Sequence, residues 1–183
     1  MTRFWEPKLE AWQVQVLPGD LYVTRADEVV STVLGSCVSA CVRDMSRGIG
    51  GINHFLLPRA PGSDDGASAR YGVYALELLL NTVLRGGGKR GALEIKVFGG
   101  GRVLEGTGDI GRANIAFVRK FFADERLVVS AEDVGGPFAR RLRYWPRTGR
   151  VQLLQMPMAG GVLAQEADAA ARIAPTAGDV ELF

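Results

Sequence analysis

Hydrophobic and polar residues alternate along most of this chain with the period of a β-strand, and only two stretches carry helical spacing. Trp12-Gln13-Val14-Gln15-Val16 reads as a strand, Pro18-Gly19-Asp20 as a turn, Leu21-Tyr22-Val23 and Val29 to Leu34 as further strands. Leu76, Leu79, Leu80, Val83 and Leu84 recur at helical spacing, which predicts a helix over Tyr74 to Leu84 closed by Arg85-Gly86-Gly87-Gly88. Leu93 to Phe98 is a strand, and Asp109 can N-cap a second helix through Ile115, Phe117, Val118, Phe121 and Phe122. Leu127-Val128-Val129, Leu142 to Trp145 and Val151 to Leu154 read as strands, the last two joined across Arg147-Thr148-Gly149. Pro58 to Ser68, rich in Pro, Gly, Ser and Asp, reads as an exposed loop. The pattern gives a single α+β domain over 1–157 with mixed or antiparallel sheet, followed by a Gly/Ala-rich appendage over 158–183 holding a short helix around Val162 to Ile173.

One hairpin within this pattern carries chemistry. Val38 to Arg43 and Ile49 to Leu57 are apolar runs around the polar, Gly-ended turn Asp44 to Gly48. His54, the single histidine, lies 17 residues after Cys37, and the two are equidistant from the Met45-Ser46 centre. In a regular hairpin they face each other with Cβ atoms about 4.5–5.5 Å apart, and a thiol beside an imidazole is the minimal equipment of a cysteine nucleophile. The competing reading is a buried inert cysteine and a structural histidine. Cys41 is the internal control: on a strand it shares the face of Cys37 but sits about 13 Å away at ~3.3 Å per residue. That spacing excludes a disulfide between them, and a closed zinc site would need an unidentified carboxylate, so no metal and no cofactor are expected.

Composition narrows the classes. The 183 residues, 47% hydrophobic and 23% charged, suit one globular domain. Net charge of +2 does not call for nucleic acid. No leader-like start and no apolar run of about 20 residues occurs, so a cytoplasmic protein that is not membrane-inserted is expected. Gly106-Thr107-Gly108-Asp109-Ile110-Gly111 matches a dinucleotide fingerprint, with Glu132 following 21 residues after Gly111. Its first glycine does not end a strand and no second βαβ unit follows, which favours a turn before a capped helix. Arg140-Arg141-Leu142-Arg143-Tyr144-Trp145-Pro146-Arg147 interleaves arginine with aromatics, and its alternation favours a solvated strand face over nucleic-acid binding.

Ser31-Thr32-Val33-Leu34-Gly35-Ser36-Cys37-Val38 and Gly50-Gly51-Ile52-Asn53-His54-Phe55-Leu56-Leu57-Pro58 together resemble the signature of the CheD-type chemoreceptor glutamine deamidases. The likeness extends through Lys96-Val97-Phe98-Gly99-Gly100-Gly101, Ile110-Gly111-Arg112-Ala113-Asn114 and Asp133-Val134-Gly135-Gly136, covering Pro18 to Leu154. The resemblance implies a sandwich of the cysteine-hydrolase type shared with deamidating toxins. It implies conversion of receptor glutamines to glutamate, with Cys37 as nucleophile and His54 as base. It implies as partners the cytoplasmic helices of methyl-accepting chemoreceptors and, for some relatives, a chemotaxis phosphatase. The family's third catalytic position, a threonine six residues before the cysteine, falls on Ser31, with Thr32 beside it as the alternative. A thiolate–imidazolium pair is then expected, lowering the thiol pKa below about 8.5. Backbone groups near Gly35 and Ser36 are candidate oxyanion donors, and methyl-ester hydrolysis is a conceivable side activity through the same acyl intermediate. The alternatives are a non-catalytic adaptor that has retained the pair and a nucleotide-binding protein using Gly106 to Gly111.

Overall fold

The computed structural model describes residues 1–57, 65–102 and 110–157, with Ala164 and Asp168 beyond them. Ten strands form two five-stranded mixed sheets. The first has the order β1 (Thr2–Glu6), β2 (Ala11–Gln15), β4 (Glu28–Leu34), β9 (Phe138–Trp145), β10 (Arg150–Pro157). The second has the order β3 (Leu21–Thr24), β6 (Ile49–Asn53), β5 (Val38–Asp44), β7 (Leu93–Gly99), β8 (Val129–Val134). Only β2/β4 and β7/β8 pair in parallel.

The second sheet is the middle layer. Val38, Ala40 and Val42 of β5 face helices α1 (Asp65–Arg85) and α2 (Ile110–Asp124), in a core with Leu76, Leu79, Leu80, Val83, Val118 and Phe122. Cys37 and Cys41 face the other way, into a second core with Val16, Val30, Leu34, Leu142 and Tyr144 of the first sheet. A strand covered on both faces can be apolar at nearly every position, which is why β5 shows an unbroken small and apolar run. The α+β domain with mixed sheet expected from the pattern and the sandwich implied by the resemblance are the observed architecture, with sheet, sheet and helices in layers.

Several boundaries differ from expectation, among them those of β9 and β10, which are longer than expected. Helix α1 begins at Asp65, inside the expected loop, of which residues 58–64 lie outside the described region. Strand β1 was not anticipated; it closes on β2 with Trp5 opposite Trp12 and the two rings edge to face at 5.8 Å. Strand β8 starts at Val129 rather than Leu127, because α2 ends in a Schellman motif that uses up Leu127. Arg126 takes φ 55°, its N–H donates to Ala123 O at 2.9 Å, and Leu127 N–H donates to Phe122 O at 2.8 Å. The appendage and its short helix lie outside the described residues, apart from Ala164 and Asp168.

Candidate active site

The hairpin that bears the cysteine and histidine is set by its turn. Asp44 is the last residue of β5 rather than part of the loop, and it pairs with Ile49. Its buried carboxylate accepts from Ser46 N–H at 2.6 Å, Ser46 Oγ at 2.7 Å, Arg47 N–H at 2.8 Å and Lys89 N–H at 2.6 Å. Burial opposes its ionisation, but these hydrogen bonds win and hold the carboxyl at about 2 instead of 3.8. The ladder then runs through Cys41 opposite Ile52, and resumes at Val38 opposite Phe55. Register therefore differs by two residues from the symmetric expectation. Cys37 falls opposite Leu56 and His54 opposite Ser39, so Cys37 and His54 are diagonal neighbours on one face, not direct partners. A shift of two preserves the face, which is what the chemistry needs.

Both residues are buried, Cys37 at 0% and His54 at 2% exposure. The backbone of His54 is clamped by the Pro18-Gly19-Asp20 turn: Gly19 N–H donates to His54 O at 2.8 Å, and His54 N–H donates to Asp20 O at 2.9 Å. Its ring is held from the first sheet. Thr32 Oγ1 lies 2.7 Å from His54 Nδ1 and donates to Val16 O at 2.8 Å. A hydroxyl has one proton. With that proton committed to the Val16 carbonyl, Thr32 must accept from Nδ1–H, which leaves Nε2 as the basic nitrogen of the neutral ring.

Ser31, expected by the family's spacing beside His54, points to the opposite face of β4. Its hydroxyl accepts from Gln13 Nε2 at 3.0 Å. Strand alternation is the reason: Val30, Thr32 and Leu34 face the second sheet, so Ser31 cannot. Of the two hydroxyls left open by the sequence, Thr32 is the one within reach of the imidazole.

The loop that bears Cys37 is tied down through its carbonyls. Gly100 N–H donates to Cys37 O and Gly101 N–H to Gly35 O, both at 2.7 Å, while Asn114 Nδ2 donates to Ser36 O at 2.9 Å. Asn114 also accepts from Leu57 N–H at 3.0 Å, so one buried amide couples the cysteine loop to the segment after His54. Gly99 has φ 109° and Gly100 has φ 66°, and a side chain at Gly99 would strike Cys37 O at 2.3 Å. Gly111 lets α2 approach the same loop, since a Cβ there would lie 2.5 Å from Gly100 O. The scattered glycine motifs and Asn114 thus meet around Cys37. The signal for Asn114 was a polar residue on the apolar side of an amphipathic helix; its role was not deduced from it.

Cys41 differs from Cys37 in its surroundings. Burial pushes the Cys41 thiol far above the ordinary range, consistent with an inert core residue. Neither cysteine is in a disulfide. Tyr71 of α1 has its phenol pKa pushed up, first by burial and then by the charges of Cys37 and Asp20. Among the described residues no cluster of His, Cys, Asp or Glu is placed to hold a metal, and no helix is long and apolar enough to cross a membrane. Residues 106–109 of the fingerprint-like run lie outside the described region; Glu132, its acidic counterpart, is ion-paired with Arg119. In the arginine-rich run, Arg140 is not on a solvated face: it is buried against Asp133 at 2.7 Å, joining β9 to β8, whereas Arg141 is exposed.

Residues 56–155 match the family model described as CheD, chemotactic sensory transduction. A protein of Halorhodospira halophila is 41% identical over 194 residues, covering 100% of this chain and 90% of the relative. One of Rhodopseudomonas palustris is 46% identical over 191 residues, again covering 100% and 90%. One of Methylobacillus flagellatus is 45% identical over 179 residues, covering 92% and 88%. Each of the three is described as a probable chemoreceptor glutamine deamidase.

Proposed function

Since the chain belongs to the CheD family, we propose that it deamidates glutamines of methyl-accepting chemoreceptors in the cytoplasm, using Cys37 as nucleophile and His54 as base. The observation that carries this reading is the Thr32–His54 hydrogen bond, which supports a fixed ring with Nε2 basic on the face that also bears Cys37.

In this mechanism His54 takes the thiol proton and the thiolate attacks the side-chain amide carbon. The carbonyl oxygen becomes an oxyanion, for which N–H groups around Gly35 and Ser36 are the candidate donors. The imidazolium returns its proton to the nitrogen, the C–N bond breaks, and ammonia leaves; without that proton the amide anion is too poor a leaving group. Neutral His54 then deprotonates water, hydroxide adds to the thioester, and the C–S bond breaks to give glutamate. No cofactor or metal enters this scheme. Thr32 positions the imidazole, the role the family's spacing assigned to Ser31. A methyl ester at the same site would form the same thioester, so slow esterase activity is part of the proposal.

The test is ammonia release and intact-mass change on a chemoreceptor cytoplasmic fragment. The parent protein should convert glutamine to glutamate and folded Cys37→Ala should not. Conversion by Cys37→Ala at the parental rate would overturn the mechanism. Receptor binding without conversion would leave the adaptor reading in its place.

A further inference from the structure

The first sheet is layered on one face only. Its inward residues Val30, Leu34, Leu142 and Tyr144 meet the second sheet, and both α-helices lie beyond that sheet, so among the described residues no helix covers the outer face. Strand alternation turns Ser31, Arg141 and Arg143 outward, with Leu154 opposite Arg141. Arg143 Nη2 and Glu6 Oε2 approach to 3.9 Å across β2 and β4, the two strands between them. Polar atoms there are shut from water without being satisfied: among the described residues Gln13, itself 8% exposed, has no partner for Oε1, and Arg143 has none for Nε. A native fold seldom leaves such atoms so. Towards β10 the same face is open, with Leu154 56% exposed.

The chain has the means to cover this face itself. Strand β10 is the edge of the sheet and ends at Pro157, after which 26 residues follow. Ala164 and Asp168 are helical and both exposed. Four residues apart, they share one side of a helix. At helical spacing the opposite side carries Val162, Glu166, Ala169, Ala170 and Ile173, an apolar stripe with one carboxylate at its centre, and Pro175 closes the run. The five Cα steps from Pro157 to Val162 span up to about 17 Å. Strand β9 lies one spacing of about 4.8 Å from β10, so the helical run can start above the strand that bears Arg143. Twelve residues of helix cover about 18 Å, which fits within the length of the eight-residue strands β9 and β10, about 26 Å.

We propose that residues 162–173 form a helix that docks on the outer face of the first sheet, its apolar stripe against Leu154 and its Glu166 accepting from Arg143 Nε. A carboxylate beside a guanidinium makes a charge-assisted hydrogen bond, and it answers a donor that the rest of the fold leaves unpaired. The chain's own segment is the occupant because it is tethered to the sheet it covers, which raises its effective concentration there above that of any free partner. The docked helix lies behind the active site. Ser31 of β4 faces it, and the next residue, Thr32, holds His54 from the other side of the same strand.

The experiment is hydrogen exchange read by mass spectrometry on the full chain, with thermal melts alongside. In the parent, amides within 162–173 should exchange at least roughly tenfold more slowly than an unstructured chain. Arg143→Glu and Glu166→Arg should each remove that protection and lower Tm by about 2–4 °C. The double variant with the charges exchanged should regain both, a rescue that damage to β9 alone would not produce. Should Arg143→Glu fail to fold, Arg143→Gln and Glu166→Gln give the same cycle: each single change lowers the protection, and the two together lower it no further. Exchange at the unstructured rate in the parent, or a charge-exchanged double variant no better than the worse single one, overturns the docking. Protection that rises with protein concentration, together with a dimer mass in sedimentation, assigns the face to a second copy and overturns it as well.

Discussion

Thr32→Val is the substitution that separates the two hydroxyls of β4. Valine keeps the branched shape and removes only the oxygen that meets His54 Nδ1 at 2.7 Å and Val16 O at 2.8 Å. A neutral hydrogen bond contributes about 0.5–1.5 kcal/mol net, and a buried polar group left unsatisfied costs about 1–3 kcal/mol. If that larger cost falls on the catalytic orientation of the ring, and each 1.36 kcal/mol is tenfold in rate, kcat/KM falls by about 5- to 150-fold. The loss should appear chiefly in kcat, since the hydroxyl lies behind the imidazole rather than against substrate, and Thr32→Ser should restore most of it. Ser31→Ala removes only the bond from Gln13, so its cost of about 0.5–1.5 kcal/mol should fall on stability, with turnover close to that of the parent. The assay is steady-state ammonia release from a receptor fragment, with thermal melts to confirm folding. Ser31→Ala losing as much as Thr32→Val, with both folded, would refute the face assignment on which the mechanism stands.

The two cysteines should behave differently: Cys41→Ser should lower stability by about 1–3 kcal/mol in denaturant melts and leave turnover in place, and iodoacetamide should label Cys37 with a pH profile that His54→Ala moves upward, superimposable profiles counting against activation by the imidazole. Asp44 is held at about 2 against 3.8, so its contribution is complete above pH ~4 and lost as the pH falls through about 2; chemical denaturation of Asp44→Asn should show a loss of about 1–3 kcal/mol at pH 7, where an amide nitrogen meets a backbone N–H, shrinking in acid. Asn114→Leu fills the same space but leaves Ser36 O and Leu57 N–H without it, and should reduce turnover by more than tenfold with a folded near-UV spectrum; parental turnover would show that the two segments do not need this tie.

The sequence carried the α+β class and the face of the pair because both follow from periodicity, and alternation marked most of the strands. It did not carry the register. The hairpin midpoint depends on whether Asp44 sits in the loop or ends the strand, and that is decided by four hydrogen bonds to one carboxylate, one of them from distant Lys89. The two-residue difference is harmless to the chemistry for the reason that a one-residue error at Ser31 is not. Two steps along a strand return to the same face, and one step crosses to the other. The motif spacing pointed to Ser31, and strand geometry puts Thr32 beside the imidazole instead. Asn114 and the three glycine segments were visible as residues, but their convergence on Cys37 is tertiary and could be read only by likeness.

Burial gives the site its remaining logic. A thiol at 0% exposure beside an imidazole at 2% cannot meet an amide on a protein surface until covering groups move, so activation and access are separate steps. The hydrogen bonds from Gly100, Gly101 and Asn114 hold the loop that bears Cys37, and those with Gly19 and Thr32 hold the histidine. The thiol consequently stays protected from the solvent reactions to which an accessible thiolate is prone. A deamidase working among many exposed glutamines gains from that division. In the proposed mechanism the reactive group is exposed only to what has already bound.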